Sequence, residues 1–229
     1  MDRRPCRSRL WRRAVRERLI RTSSTPRDSS APAIAVLISG RGSNLKALID
    51  AESAGSLAAR IRVVISNRAD APGLAYAREY GIESLVLPHA SAPSREAYDR
   101  ALVDAFQTRG IALICLAGFM RVVTPVLCDA YPWRILNIHP SLLPAFPGAA
   151  AQRQALEHGV KITGATVHFV TPELDVGPIV RQVAVPVNER DTVESLSARI
   201  LAAEHQLYPD AAQLVLHSPW RIEGRTVVF

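Results

Sequence analysis

The chain has few cysteines, and they fall in no useful pattern. Cys6, Cys115 and Cys128 are an odd set among 229 residues. Their spacing matches no metal site, which excludes a disulfide framework and fits a reducing, cytoplasmic setting. Cys115 stands in an apolar run and reads as a small core residue. No apolar run is long enough to span a bilayer, so no membrane partner is expected. Excess charge is also missing from most of the chain. Residues 1–31 carry ten Arg against Asp2, Glu17 and Asp28, so the net +7 resides there; the rest balances 18 basic with 18 acidic side chains. The body is therefore not a basic nucleic-acid binder. There is no internal repeat and no His-x-x-x-His or Cys/His spacing, so no metal is expected.

What is present divides into two parts. Residues 1–32 form a basic extension, Arg- and Ser-rich with few acids. Three readings compete for it: an organellar transit peptide, a basic arm for nucleic acid or anionic membrane, and a disordered extension or sequence upstream of the true start. The last is preferred. Residues 33–229 read as one domain, long enough to bury a core without staples.

The body alternates strand-like and helix-like segments. Continuous apolar runs at 33–38, 61–66, 82–87, 111–117 and 134–138 read as strands, mostly buried on both faces. Helical segments lie between them, and Gly81, Gly110 and Gly159 mark helix ends. Two further strand-like runs, 163–170 and 179–187, are joined by a Pro/Asp/Gly-containing loop and suggest an antiparallel pair. Asp191 is expected to cap a long helix to about Leu216, kinked or broken at Pro209. The fold class is α/β: a doubly wound, mostly parallel sheet, Rossmann-like in its N-terminal half, with an antiparallel strand pair in the C-terminal half.

Two features carry chemistry. Ser39-Gly40-Arg41-Gly42-Ser43-Asn44 links the first strand to the first helix. Neither the Walker pattern nor GxGxxG is present, which argues against a nucleoside triphosphate or dinucleotide site. Two readings stay open: a loop holding a phosphate monoester at a helix N-terminus, and a structural turn capped by Ser43 or Asn44. The second feature is Asn137-Ile138-His139-Pro140, at a strand end, answered by Asp175 before Gly177-Pro178. Positions i and i+2 of a strand share a face, so Asn137 and His139 can aim at one spot. An amide donor, an imidazole and a carboxylate suit a reaction in which an oxyanion forms and protons move. A His after a strand and an Asp in a turn also have bland structural uses. The unusual Asn-x-His and the neighbouring phosphate loop favour the chemical one.

These residues, taken in order, resemble the folate-dependent glycinamide ribonucleotide formyltransferase family of purine synthesis. The resemblance runs through Ile38–Leu45, Ser94–Asp99, Leu116–Arg121, Asn137–Pro144, Gly164–Val170, Leu174–Pro178 and Glu204-His205, and covers about residues 34–216. It implies a one-carbon group transferase acting on two small molecules, glycinamide ribonucleotide and 10-formyltetrahydrofolate, as a monomer or homodimer. It implies a catalytic set of Asn137, His139 and Asp175, with His168 behind them. Gly42, Ser43 and Asn44 would hold the substrate phosphate and Glu204 its ribose. Arg95, Met120, Arg121, Val122, Val123 and Val170 would line the folate cleft. In the implied mechanism the substrate amine attacks the formyl carbon directly, Asn137 and His139 stabilise the oxyanion, and Asp175 assists proton transfer.

Two departures from the pattern are Ala149-Ala150-Ala151, where relatives carry polar residues, and the apolar Leu201-Ala202-Ala203. Formyltetrahydrofolate deformylase is the nearest rival. It shares the catalytic set but normally has an added N-terminal regulatory domain, for which this chain has no room. Formyltransferases acting on tRNA or sugar nucleotides usually carry a further C-terminal domain. A folate- or nucleotide-binding module without catalysis is the non-enzyme alternative, and the intact catalytic set argues against it.

Overall fold

The computed structural model describes residues 31–229; the basic extension lies outside them but for its last two residues. The strands are β1 (Ala33–Ile38), β2 (Arg60–Ser66), β3 (Glu83–Val86), β4 (Ile111–Leu116), β5 (Ile135–His139), β6 (Ile162–Phe169), β7 (Ile179–Pro186), β8 (Arg221–Glu223) and β9 (Thr226–Val228). They form one sheet in the order β3-β2-β1-β4-β5-β6-β7-β9-β8. Strands β1 to β5 run parallel, β6 is antiparallel to β5 and β7, and β8 and β9 make a terminal hairpin. The helices are α1 (Ser43–Ala54), α2 (Leu74–Glu79), α3 (Arg95–Gln107), α4 (Pro125–Ala130), α5 (Ala151–Glu157) and α6 (Val193–His217).

Strand parity explains the layers. Ile34, Val36 and Ile38 of β1 face one apolar cluster, built with Leu45, Leu48 and Ile49 of α1 and Leu196, Ile200 and Tyr208 of α6. Ala35 and Leu37 face the other, built with Tyr98, Leu102 and Phe106 of α3 and Leu127 of α4. A strand covered on both faces needs apolar side chains at both parities, hence its unbroken hydrophobic run. Tyr208 ties the layers together: its hydroxyl reaches the carbonyls of Leu116 (3.1 Å) and Leu136 (3.0 Å). Burial pushes the Cys115 thiol up to about 12, so this cysteine is an inert core residue.

Two local expectations are corrected and one element is added. The N-cap of α6 is Thr192, in a reciprocal capping box with Ser195. Asp191 instead makes a bidentate pair with Arg199 at 2.7 and 2.8 Å. Pro209 does not break the helix; α6 runs through it. The residue is buried, and packing of this face on the sheet offsets the lost backbone hydrogen bond. The β8–β9 hairpin, absent from the sequence reading, turns at Gly224 with φ 62°. Among the described residues no helix is long and apolar enough to cross a membrane.

Candidate active site

Strand β1 feeds outward to β2 and β3, and the chain then returns to the other side of β1 with β4. Open α/β sheets bind ligands at such a reversal, beyond the carboxyl ends of the strands. The two loops that wall this crevice are stitched together. Ser39 N–H donates to Gly118 O at 3.1 Å, and Met120 N–H donates to Ser39 Oγ at 2.8 Å.

On the β1 side the site is main chain. Gly42 is the N-cap of α1 at φ 73°, ψ 26°, and no side chain caps the helix. The capping alternative for Ser43 and Asn44 therefore falls away, and the first amides of α1 keep their donors free of side-chain caps. A Cβ on Gly42 would lie 2.7 Å from Gly73 Cα, and Gly73 N–H donates to Gly40 O at 3.0 Å. Two glycines back to back thus lock the loop's shape. Asn44 is turned away from the cap and donates through Nδ2 to Glu204 Oε2 at 2.7 Å. Burial raises the Glu204 carboxyl above its ordinary value, against the Asn44 hydrogen bond that lowers it. The buried Asn44 Oδ1 has no protein partner among the described residues.

On the β5 side the site is side chains. Leu136 and Ile138 of β5, and Val167 and Phe169 of β6, belong to the cluster under α6. Parity turns Asn137, His139, Thr166 and His168 to the opposite face, and the antiparallel register pairs Asn137 with His168 and His139 with Thr166. Asp175 arrives from the loop between β6 and β7 with φ 55°. Its Oδ2 lies 3.5 Å from His139 Nδ1 and its Oδ1 3.7 Å from His168 Nε2, with all three side chains at most 7% exposed.

Backbone groups orient this cluster and decide which histidine nitrogens donate to them. His139 Nε2 is 2.8 Å from Phe146 O. A carbonyl only accepts, so Nε2 carries a proton and the Nδ1 edge faces Asp175. By the same argument His168 Nδ1–H donates to Phe169 O at 2.9 Å, which leaves Nε2 to accept from Asn137 Nδ2 at 3.2 Å. Burial pushes the His168 pKa down, which favours this neutral form. Asn137 is thereby oriented with one amide hydrogen spent and the other open. Gly148 N–H donates to Asp175 Oδ2 at 2.8 Å. Thr166 Oγ1 anchors the turn after His139, donating to Ser141 O at 2.7 Å and accepting from Leu143 N at 3.1 Å.

The expected folate-side residues lie on the loop after β4 and beside it. Arg95 Nη2 donates to Val122 O at 2.8 Å, and the Arg121 guanidinium sits 4.7 Å from the Tyr98 ring centroid. Val123 is buried, whereas Met120 is 77% exposed and Val122 41%. Val170, half-buried, donates its N–H to Ile135 O at 2.9 Å. The sequence reading missed Phe146, Gly148 and Gly73, which act through backbone atoms; the Pro147-Gly148 turn was the one local hint. A groove of about 630 Å³ between α1 and α6 touches Ser43 and His205 but none of the Asn/His/Asp cluster. No cluster of metal-ligating side chains occurs among the described residues.

The described residues thus combine a glycine loop at the reversal of a parallel sheet with an Asn/His/Asp set at the end of β5. The chain belongs to the formyl transferase family, which its residues 33–212 match. Within that family it is 46% identical over 192 residues to the phosphoribosylglycinamide formyltransferase of Escherichia coli, covering 84% of this chain and 88% of that one. A solved glycinamide ribonucleotide transformylase 1 from Symbiobacterium toebii superposes with a TM-score of 0.85 at 54% identity, covering 90% of this chain and 97% of that one. The chain is also 46% identical over 189 residues to the trifunctional purine biosynthetic protein adenosine-3 of Bos taurus, covering 82% of this chain but only 19% of that much longer protein.

Proposed function

We propose that this chain transfers the formyl group of 10-formyltetrahydrofolate to the amine of glycinamide ribonucleotide, in the cytoplasm, as a step of purine synthesis. The observation that carries the reading is the cluster of Asn137, His139, His168 and Asp175 beside a glycine-built anion loop. The phosphate sits on the free amides at the start of α1, held by Gly42, Ser43 and Asn44. Glu204 and the unpartnered Asn44 Oδ1 face the ribose side. The folate lies against the loop after β4, between Arg95, Met120, Arg121, Val122 and Val123, and reaches Val170.

The substrate amine attacks the formyl carbon and the carbonyl oxygen becomes an oxyanion. The open hydrogen of the Asn137 amide and the Nδ1 edge of protonated His139 stabilise it. A preorganised donor of this kind lowers a barrier by about 3 kcal/mol. Asp175, held by the Gly148 amide, takes the proton from the attacking nitrogen and passes it to the folate nitrogen as that nitrogen's bond to carbon breaks. Direct donation by His139 from both nitrogens is not part of this scheme, because Nε2 is committed to Phe146 O.

Formyl release from 10-formyltetrahydrofolate, followed with and without glycinamide ribonucleotide, tests the proposal. Release that depends on the ribonucleotide is expected. Equal release without it would make water the acceptor and the chain a deformylase.

A further inference from the structure

Asp175 depends on a loop that is braced from the far end of the chain. The residues past α6 lie beyond the 33–212 match to the family. The β8–β9 hairpin meets β7 at one register pair, Ile179 with Thr226. One residue earlier in the hairpin, Arg225 Nη2 donates to Val176 O at 3.0 Å, on the residue that follows Asp175. A second tie comes from Trp220. Its ring packs on Phe169 with centroids 5.0 Å apart, and its Nε1 donates to Val215 O at 3.0 Å. Phe169 is fully buried. Its carbonyl accepts His168 Nδ1, and its N–H donates to Pro178 O at 2.9 Å. It also crowds Gly177 so closely that a Cβ there would meet Phe169 O at 1.8 Å.

We propose that this hairpin is a positioning element of the transfer site, in which Arg225 sets Asp175 through the Val176 carbonyl while Trp220 fixes Phe169 and, through it, His168. The loop's own ends are pinned at Phe169 and Pro178; its crest, which carries Asp175, is exposed at Leu174 and Val176. Arg225 supplies a tie at that crest from outside the loop. The guanidinium meets the loop through a single backbone carbonyl, so it restrains where the chain beside Asp175 sits. The inference rests on the proposed role of Asp175 in transfer, but the brace has a readout that needs no turnover.

The Gly148 amide reports on Asp175 directly, because it donates to Oδ2. Amide exchange would be measured at Gly148 and at Leu37 and Ile65 in the sheet centre, for the wild-type protein, Arg225→Ala and Arg225→Lys. In Arg225→Ala, Gly148 is expected to exchange about fivefold faster, the loss of one net hydrogen bond. Leu37 and Ile65 should not change, and Arg225→Lys should restore Gly148. kcat should fall by a similar factor with the KM for glycinamide ribonucleotide unaltered. Unchanged exchange at Gly148, or equal acceleration at all three amides, would overturn the proposal, as would faster Gly148 exchange with undiminished kcat in an active enzyme. If the wild-type protein transfers no formyl group, the proposed reaction fails by itself and the Gly148 amide still decides the brace.

Discussion

The two sides of the candidate site are made of different material. The β1 wall offers backbone: glycines at a helix start, uncapped amides, and a shape locked by Gly42 against Gly73. The β5 wall offers titratable side chains, each oriented by a backbone atom: Phe146 O for His139, Phe169 O for His168 and Gly148 N for Asp175. Amides do not titrate and suit the holding of a constant charge. Imidazole and carboxylate change charge and suit a reaction in which protons move. Under the proposed function binding and chemistry are separable, and each substitution below is aimed at one wall.

Asp175→Asn is the sharpest blow to the β5 wall. Asn tolerates a left-handed backbone and still offers Gly148 an oxygen, so the protein should fold normally. Its turnover should fall about 1,000-fold, as for loss of a proton-transfer group. Near-normal turnover would remove Asp175 from the chemistry. Asn137→Ala comes next, with kcat expected to drop about 100-fold as one oxyanion donor is lost. A change confined to KM would instead make Asn137 a binding residue and blur the division between the walls.

The β1 wall is broken by Gly42→Val. A β-branched residue at φ 73°, with its Cβ forced against Gly73, must displace the loop. The KM for the ribonucleotide should rise about tenfold, the cost of such strain, and that for the folate much less. Equal rises would mean the loop serves both substrates.

The smallest effect probes Glu204, the buried carboxyl that meets Asn44 of α1. Burial raises the Glu204 pKa, so the folded state holds its proton more tightly than the unfolded chain does. That contribution is fully present below the unfolded value near 4.5 and is lost as pH rises through the folded value. Glu204→Gln keeps an acceptor for Asn44 and should flatten this decline in urea midpoints measured from about pH 4 to about pH 8. A difference between variant and wild type that does not vary with pH would show that Glu204 titrates as it does when unfolded.

Local signals made most of the fold legible. Double-sided burial writes itself as unbroken apolar strands, and Gly81, Gly110 and Gly159 do adopt the positive φ of helix ends. Asn137 and His139 share a face by strand parity alone. That Asp175 meets His139 was not a local fact; 36 residues separate them, and the pairing was drawn from residue chemistry and reinforced by the family resemblance. Phe146 and Gly148 were invisible because their contributions are a carbonyl, which every residue has, and an amide N–H, which only proline lacks. The terminal hairpin escaped because its three-residue strands are too short to show a period, although Gly224 marked its turn. At α6 two cap-forming residues stood side by side. Thr192 won because Ser195 completes the reciprocal box, while Asp191 found Arg199.

The most direct test of separable walls is calorimetric titration of glycinamide ribonucleotide into the Asp175→Asn protein. The account predicts wild-type affinity in a protein that has lost its turnover. An affinity that falls as far as the turnover does would contradict it, and would place Asp175 in binding rather than in proton transfer.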